Sequence, residues 1–385
     1  EITRAFGGEQ KLLSAAGNII APGYTAGKIL WLKKHHADLY KRMRWVMLPH
    51  DYLNYRLTGR AFMEYGDASG TGLLDIRKKQ WREDLIQAID PHLKNALPPL
   101  VEPDEEAGRV SEEAAALWGL KPGIPVSSGG GDNMMGALGT GCVRDGVITM
   151  SMGTSGTLYG FSKSPVVDPR GVLAAFCSST GGWLPLLCTM NCTVATELTR
   201  ELFNMEVKEI DQAASRAPAG AEGVAMLPFF NGERVPALPR GKASIMGLTA
   251  ANYSPQNIAR ASLESAVYGM KTGLERFREL GFEVREIRMI GGGAKSSLWR
   301  QMAADVLGVP VRIPLQTEAA ALGAALQAAW MLGGGGQQKL EELTDEHVLL
   351  DQQAFCEPDT SLQAAYTEAY SRYLSWLEAL SPLYR

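Results

Sequence analysis

Asp132 follows three consecutive glycines, Gly129-Gly130-Gly131, at the end of the short apolar run Ile124 to Ser128, and Asn133 comes next. A carboxylate so placed suits the base of a phosphoryl transfer. There the barrier falls mainly through positioning and charge stabilisation, and the base accepts the hydroxyl proton late. Glycines in series are costly to order, so a chain keeps them where the backbone bends sharply or meets a ligand closely. The other role open to Asp132 is to cap a helix beginning at Asn133.

Two more turns of this type follow. Gly153-Thr154-Ser155-Gly156 joins two apolar segments. Its backbone N–H groups and the Thr154 and Ser155 hydroxyls can converge on phosphate oxygens, since a nest of donors suits an anion. Taken alone, it also reads as an ordinary hairpin turn of small residues. Met289-Ile290 runs into Gly291-Gly292-Gly293-Ala294, where missing side chains would let a base or ribose rest on the backbone. The competing account is a close strand-to-helix crossing. Three Gly turns at strand ends together favour a nucleotide cleft. It is neither a P-loop nor a dinucleotide site, because no GxxxxGK[ST] occurs and no GxGxxG sits at a strand-to-helix turn.

Composition narrows the partner. Thirty-eight basic against 42 acidic residues give a net charge of -4, with no basic surplus for nucleic acid and no polybasic run for a membrane. A small molecule is the expected ligand. Apolar runs are interrupted well short of a membrane span, and a cytoplasmic protein is expected. Five cysteines without a CxxC pair read as reduced core residues; His35-His36 sits in a charged run and His50, His92 and His347 are scattered, so no metal site is expected.

At 385 residues the chain fits two α/β domains. Ala26 to Trp45 has a helical pattern, Pro49-His50-Asp51 opens a helix that stops at Thr58-Gly59, and residues 61–76 read as a turn-rich connection with Gly66 to Gly72 between apolar segments. Residues 124–128 form a strand, a helix starts near Met134, and 145–152 with 157–161 form a hairpin opening a new sheet. The expected domains are 1–142 and 143–385. Ser254 caps a long helix with Pro255 at its first position and Gly281 beyond its end. Helix 296–307, strand 311–313 and helix 318–330 then continue a βα alternation, which predicts a mainly parallel sheet. Small residues on every face of 318–325 permit close helix packing or a hinge contact. Gly333 to Gly336 is a linker, and 361–380 a closing helix.

On these residues the chain resembles the FGGY family of carbohydrate kinases, and within it the branch acting on xylulose. One family signature is Gly23-Tyr24-Thr25-Ala26-Gly27-Lys28 through His35. The other runs from Ala243-Ser244-Ile245-Met246-Gly247 to Asn257-Ile258-Ala259-Arg260 and on to Glu264. The resemblance implies an α/β actin-like ATPase (ribonuclease H-like) fold with two domains around a hinged cleft. It also implies ATP with Mg²⁺ as donor, a sugar or polyol acceptor, and a homodimer as a family expectation. By it Asp132 is the base and a sugar contact, and Asn133 helps hold the sugar. Gly153, Thr154 and Ser155 then meet the ATP phosphates, and Gly292, Gly293 and Ala294 the adenosine. The phrases Leu48 to Leu53, Gly66 to Thr71 and Leu227 to Arg234 favour D-xylulose over glycerol or gluconate, with L-ribulose and L-xylulose still open. Relatives begin with an Asp-x-Gly-Thr hairpin and a Met-His-Gly segment that do not occur here. A complete first domain would therefore need roughly a hundred residues more. A non-catalytic sugar or nucleotide sensor that dispensed with that hairpin is the alternative from another class.

Overall fold

A computed structural model describes residues 1–21 and 23–384. The chain forms two compact units. One comprises Glu1–Arg144, Gly160–Leu186 and Glu318–Val348, the other Asp145–Tyr159, Leu187–Thr317 and Leu349–Arg385. The first passage between units, after Arg144, lies beside the expected boundary at 142/143. The chain then re-enters the first unit twice.

The second unit is built on a six-stranded sheet. Its spatial order is Leu350–Cys356, Val311–Pro314, Val284–Ile290, Gly146–Met152, Gly156–Gly160, Leu186–Thr189. Val284–Ile290 pairs in parallel with both neighbours, Ile287 lying opposite Ile148 on one side and Val311 on the other. These three central strands form the parallel core expected from the βα alternation. Gly146–Met152 is buried almost throughout, so it reads as a continuous apolar run rather than an alternating one. Leu350–Cys356 closes one edge antiparallel. This edge strand and the helix Gln337–His347 before it escaped the sequence pattern, because each is polar along much of its length.

The long helix runs Pro255–Glu279, with the Ser254 hydroxyl accepting from Asn257 N–H at 3.2 Å and Pro255 in the first turn. It carries most of the second family signature, whose charged residues face inward. Arg260 Nε lies 2.9 Å from Glu264 Oε1, and Arg260 also donates to Tyr366 Oη at 2.6 Å and to the Ala217 carbonyl at 3.0 Å. Glu264 in turn accepts from Gly220 N–H at 2.9 Å and from Tyr268 Oη at 3.1 Å. Both charges are thereby paired and hydrogen-bonded, the condition for keeping them buried. These signature residues hold the unit together.

In the first unit the structured strands form two-stranded ladders, among them Glu106–Arg109 antiparallel to Pro125–Ser127. The single helix expected over 26–45 is two, Thr25–His35 and Ala37–Arg42, broken at His36. Pro49–Thr58 is helical as expected and ends on Gly59 at φ 72°. The segment expected as a turn-rich connection contains the helix Tyr65–Gly70, which Glu64 caps by accepting from Asp67 N–H at 2.7 Å. Glycine content masked that helix. Gly333 to Gly336, expected to be a linker, is a tight turn between Ala319–Leu332 and Gln337–His347 in the same unit. It is closed by Trp330 Nε1 donating to the Gly336 carbonyl at 2.8 Å.

Asp132–Gly139 packs against Ala319–Leu332. A Cβ at Gly139 would lie 1.7 Å from the Ala319 carbonyl oxygen, and one at Gly323 would lie 1.8 Å from that of Met135. The small residues of 318–325 therefore serve a backbone-to-backbone crossing. Cys142, Cys177, Cys192 and Cys356 are buried and Cys188 is half-buried, all as free thiols. Among the described residues no helix is long and apolar enough to cross a membrane.

Candidate active site

Asp132 is exposed and stands at the first helical position, with Gly131 as the N-cap. The capping role considered for Asp132 therefore belongs to its neighbour. Its Oδ1 accepts from Asn133 N–H at 2.8 Å and from Asn133 Nδ2 at 3.1 Å, so the two expected sugar-site residues orient one another.

Polar groups lie beneath the turn that delivers Asp132. A Cβ at Gly129 would come within 2.8 Å of His50 Cδ2, one at Gly130 within 2.5 Å of Ser179 Oγ, and one at Gly131 within 2.5 Å of Asp67 Oδ1. A substituent at any of the three would force a neighbouring side chain to shift, and at Gly129 the φ of +73° favours glycine in its own right. Asn54 Nδ2 donates to the Ser128 carbonyl at 2.8 Å and fixes the end of the strand.

His50 sits between two carboxylates. Its Nδ1 contacts Asp67 Oδ2, and its Nε2 lies 3.0 Å from Asp51 Oδ1, an ion-pair distance without hydrogen-bond alignment. Burial opposes charge on the imidazole. The contacts with Asp51 and Asp67 outweigh it and raise His50 to about 10, an imidazolium at neutral pH. The three ligand atoms lie within 4.8 Å of one another. They do not fit Mg²⁺, which takes oxygen ligands in octahedral array, because the ring occupies the middle of the cluster and its positive charge offsets one of the two carboxylates. Among the described residues no other such group of three occurs.

Glu64 is fully buried beside this cluster, and its Oε2 has no hydrogen-bond partner. Burial, reinforced by the charge of Asp67, pushes its carboxyl up to about 7. A carboxyl raised on folding is more easily protonated in the native state, so its destabilising effect grows as pH rises from 4.5 to about 7 and is constant above. Glu64→Gln keeps the carbonyl that caps Tyr65–Gly70 and removes the titration. Its melting temperature should match the parent near pH 4.5 and exceed it by a widening margin up to pH 7. The shift corresponds to stabilisation on the order of 3 kcal/mol. Thermal scans across that range decide the matter, and a difference independent of pH would sink it.

In the second unit the turn expected at the phosphates presents Thr154 and Ser155 to solvent. Gly153 N–H donates to the Ser155 carbonyl at 3.1 Å, so it closes the turn and is not the open donor expected of it. The Gly153 and Thr154 carbonyls accept from Thr193 N–H and Cys192 N–H, each at 3.0 Å, at the start of the helix Thr193–Leu202. The loop before that helix is held by Glu233, which accepts from Met190 N–H at 2.6 Å and from Asn191 Nδ2 at 3.1 Å.

Gly291, at φ +88°, packs against Met152, whose carbonyl oxygen a Cβ there would approach to 2.7 Å. The turn expected at the adenosine thus adjoins the one expected at the phosphates. Gly292 is exposed, whereas Gly293 and Ala294 are buried; a Cβ at Gly293 would meet Met152 Cβ at 2.9 Å and the Trp299 ring at 3.1 Å. Close packing therefore accounts for Gly293, and Gly292 offers the open backbone.

Asp132 and Asn133 thus lie together in the first unit, and the two nucleotide turns lie together in the second. Residue chemistry alone did not single out His50, Asp67, Glu64 and Ser179, although Leu48 to Leu53 and Gly66 to Thr71 supply two of them. What sequence spacing cannot show is that these two phrases converge under Gly129 to Gly131.

Residues 1–139 match the N-terminal domain and residues 148–332 the C-terminal domain of the FGGY family of carbohydrate kinases. Xylulose kinase of Haemophilus influenzae is 45% identical over 376 residues, which are 97% of this chain and 76% of that protein. Xylulose kinase of Escherichia coli is 33% identical over 95% of this chain and 75% of its own length. The crystal structure of xylulose kinase from Bifidobacterium adolescentis superposes with a TM-score of 0.80 at 31% identity, covering 94% of this chain and 75% of that one.

Proposed function

Because the chain belongs to the FGGY family of carbohydrate kinases, with its actin-like ATPase two-domain fold, we propose that it phosphorylates D-xylulose with ATP to give D-xylulose 5-phosphate. The observation that carries the mechanism is the exposed Asp132 carboxylate, set on a triple-glycine turn against which the buried Ser179 and the half-buried His50 and Asp67 pack. The sugar hydroxyl oxygen forms a bond to the γ-phosphorus while the bond to the β,γ-bridging oxygen breaks. The hydroxyl proton passes to Asp132, and ADP leaves. Asn133 hydrogen-bonds the sugar. Gly153, Thr154 and Ser155 hold the phosphates, the two hydroxyls donating where the Gly153 N–H cannot. Gly292 offers its open backbone to the adenosine, and the buried Gly293 and Ala294 hold that turn in place. Mg²⁺ is the expected counter-ion of the nucleotide phosphates, whose charge it would offset. The cytoplasm, where ATP is supplied, is the expected setting.

D-xylulose as acceptor is supported by the 45% identity to a protein named xylulose kinase over nearly the whole chain. The test is ADP release by the protein as expressed from its gene, with ATP and Mg²⁺, across D-xylulose, L-xylulose, L-ribulose, glycerol and gluconate. D-xylulose should give a kcat/KM at least tenfold above the next acceptor. Preference for another member of the panel would move the specificity. Nucleotide binding with no turnover on any acceptor would replace the kinase with a sensor.

A further inference from the structure

Gln327 is a fully buried glutamine on the helix Ala319–Leu332, and its side chain reaches a main-chain segment 198 residues away. Its Oε1 accepts from Gly129 N–H at 2.9 Å, and its Nε2 donates to the Gly129 carbonyl at 3.0 Å and to Ser128 Oγ at 3.1 Å. One amide group thus satisfies both backbone groups of one residue, as a neighbouring strand would. Glutamine is mostly found at the surface, and burying an amide is unfavourable unless its hydrogen bonds are made. Buried Leu326 and Trp330 share the helix, so an apolar residue of similar size would fill position 327 without that cost. Packing does not call for an amide here; the Gly129 N–H does, together with the Gly129 carbonyl, which also accepts from Ser128 Oγ at 3.2 Å.

Gly129 opens the three-glycine turn that ends at Asp132. Such a turn has high intrinsic backbone freedom, while a base misplaced by about 1 Å can lose on the order of 10²-fold in rate. We infer that Gln327 is a positioning residue for the reaction: it clamps Gly129 and so fixes the turn from which Asp132 projects. This rests on Asp132 being the base. The helix bearing Gln327 is also the one that crosses Asp132–Gly139 in backbone contact, so clamp and catalytic helix are held by one partner.

Two substitutions test the clamp. Gln327→Leu keeps roughly the volume and removes all three hydrogen bonds; kcat per folded molecule should fall at least tenfold, with KM for sugar and for ATP changed by less than about threefold. In Gln327→Glu the ionised carboxylate can still accept from Gly129 N–H but cannot donate to the carbonyl. Once protonated it can do both, and burial raises a carboxyl pKa. Its kcat relative to the parent should therefore recover as pH is lowered from 8 to 6, a response that loss of packing alone would not produce. A flat ratio, or a Gln327→Leu enzyme within twofold of the parent in kcat, would overturn the assignment. Amide exchange in the unsubstituted protein gives a reading even if both variants fail to fold: Gly129 N–H should be among the slow exchangers, and rapid exchange would refute the clamp. That measurement does not depend on turnover, so it also separates failure of the clamp from failure of Asp132 as base.

Discussion

Asp132→Asn is expected to lower kcat by about 10³-fold, within the range that a general base contributes, while KM for ATP stays within about threefold. Asparagine has nearly the same shape. Its amide oxygen can still accept from Asn133 N–H, as Asp132 Oδ1 does at 2.8 Å, so the first turn of the helix should be undisturbed. What the amide cannot do is take the hydroxyl proton as the new bond to phosphorus forms. The residual rate would come from positioning and charge stabilisation, which survive the substitution. The measurement is steady-state ADP release with D-xylulose, alongside a melting curve to show that the variant is folded. If kcat stayed within a few-fold of the parent, Asp132 would not be the base.

The parts of this site legible in the sequence are those governed by local backbone chemistry. Strand 125–127 running through glycines into a helix, the hairpin around Gly153 to Ser155, and the cap and first turn of Pro255–Glu279 each depend on residues close in sequence. The less legible parts depend on neighbours far apart in it. Tyr65–Gly70 looked like a loop because glycine and aspartate disfavour helices in general, yet Glu64 caps it and Gly66 has no room for a side chain. His50 and Asp67 lie in two separate phrases, and only their convergence beneath Gly129 to Gly131 makes them part of the site. Gln327 carried no sequence signal at all, since its partner is the main chain of a residue 198 positions earlier. The return of 160–186 and 318–348 to the first unit is likewise a property of tertiary packing, which no local pattern encodes.

Gly323→Ala sets two effects of opposite sign against each other, and magnitudes decide between them. Within a helix, alanine is favoured over glycine by about 1 kcal/mol, so propensity alone predicts a more stable protein. The added methyl group, however, would lie 1.8 Å from the Met135 carbonyl oxygen and 2.9 Å from Gly139 N. Those atoms are helix backbone, not the end of a flexible side chain, so relief requires one helix to move away from the other by more than an ångström. Overpacking of this kind costs typically 1–3 kcal/mol and more where nothing can yield; here it should exceed the propensity gain by several kcal/mol. For a unit of this size that is a fall in melting temperature of about 10 °C. The helix forced aside begins at Asp132, and the helix receiving the methyl group bears Gln327, so turnover should fall further than the folded fraction does. Ala324→Gly, at an exposed position on the same helix, supplies the comparison: it should cost about 1 kcal/mol through propensity and leave kcat unchanged. A melting temperature for Gly323→Ala at or above that of the parent would mean that the two helices do not meet backbone to backbone.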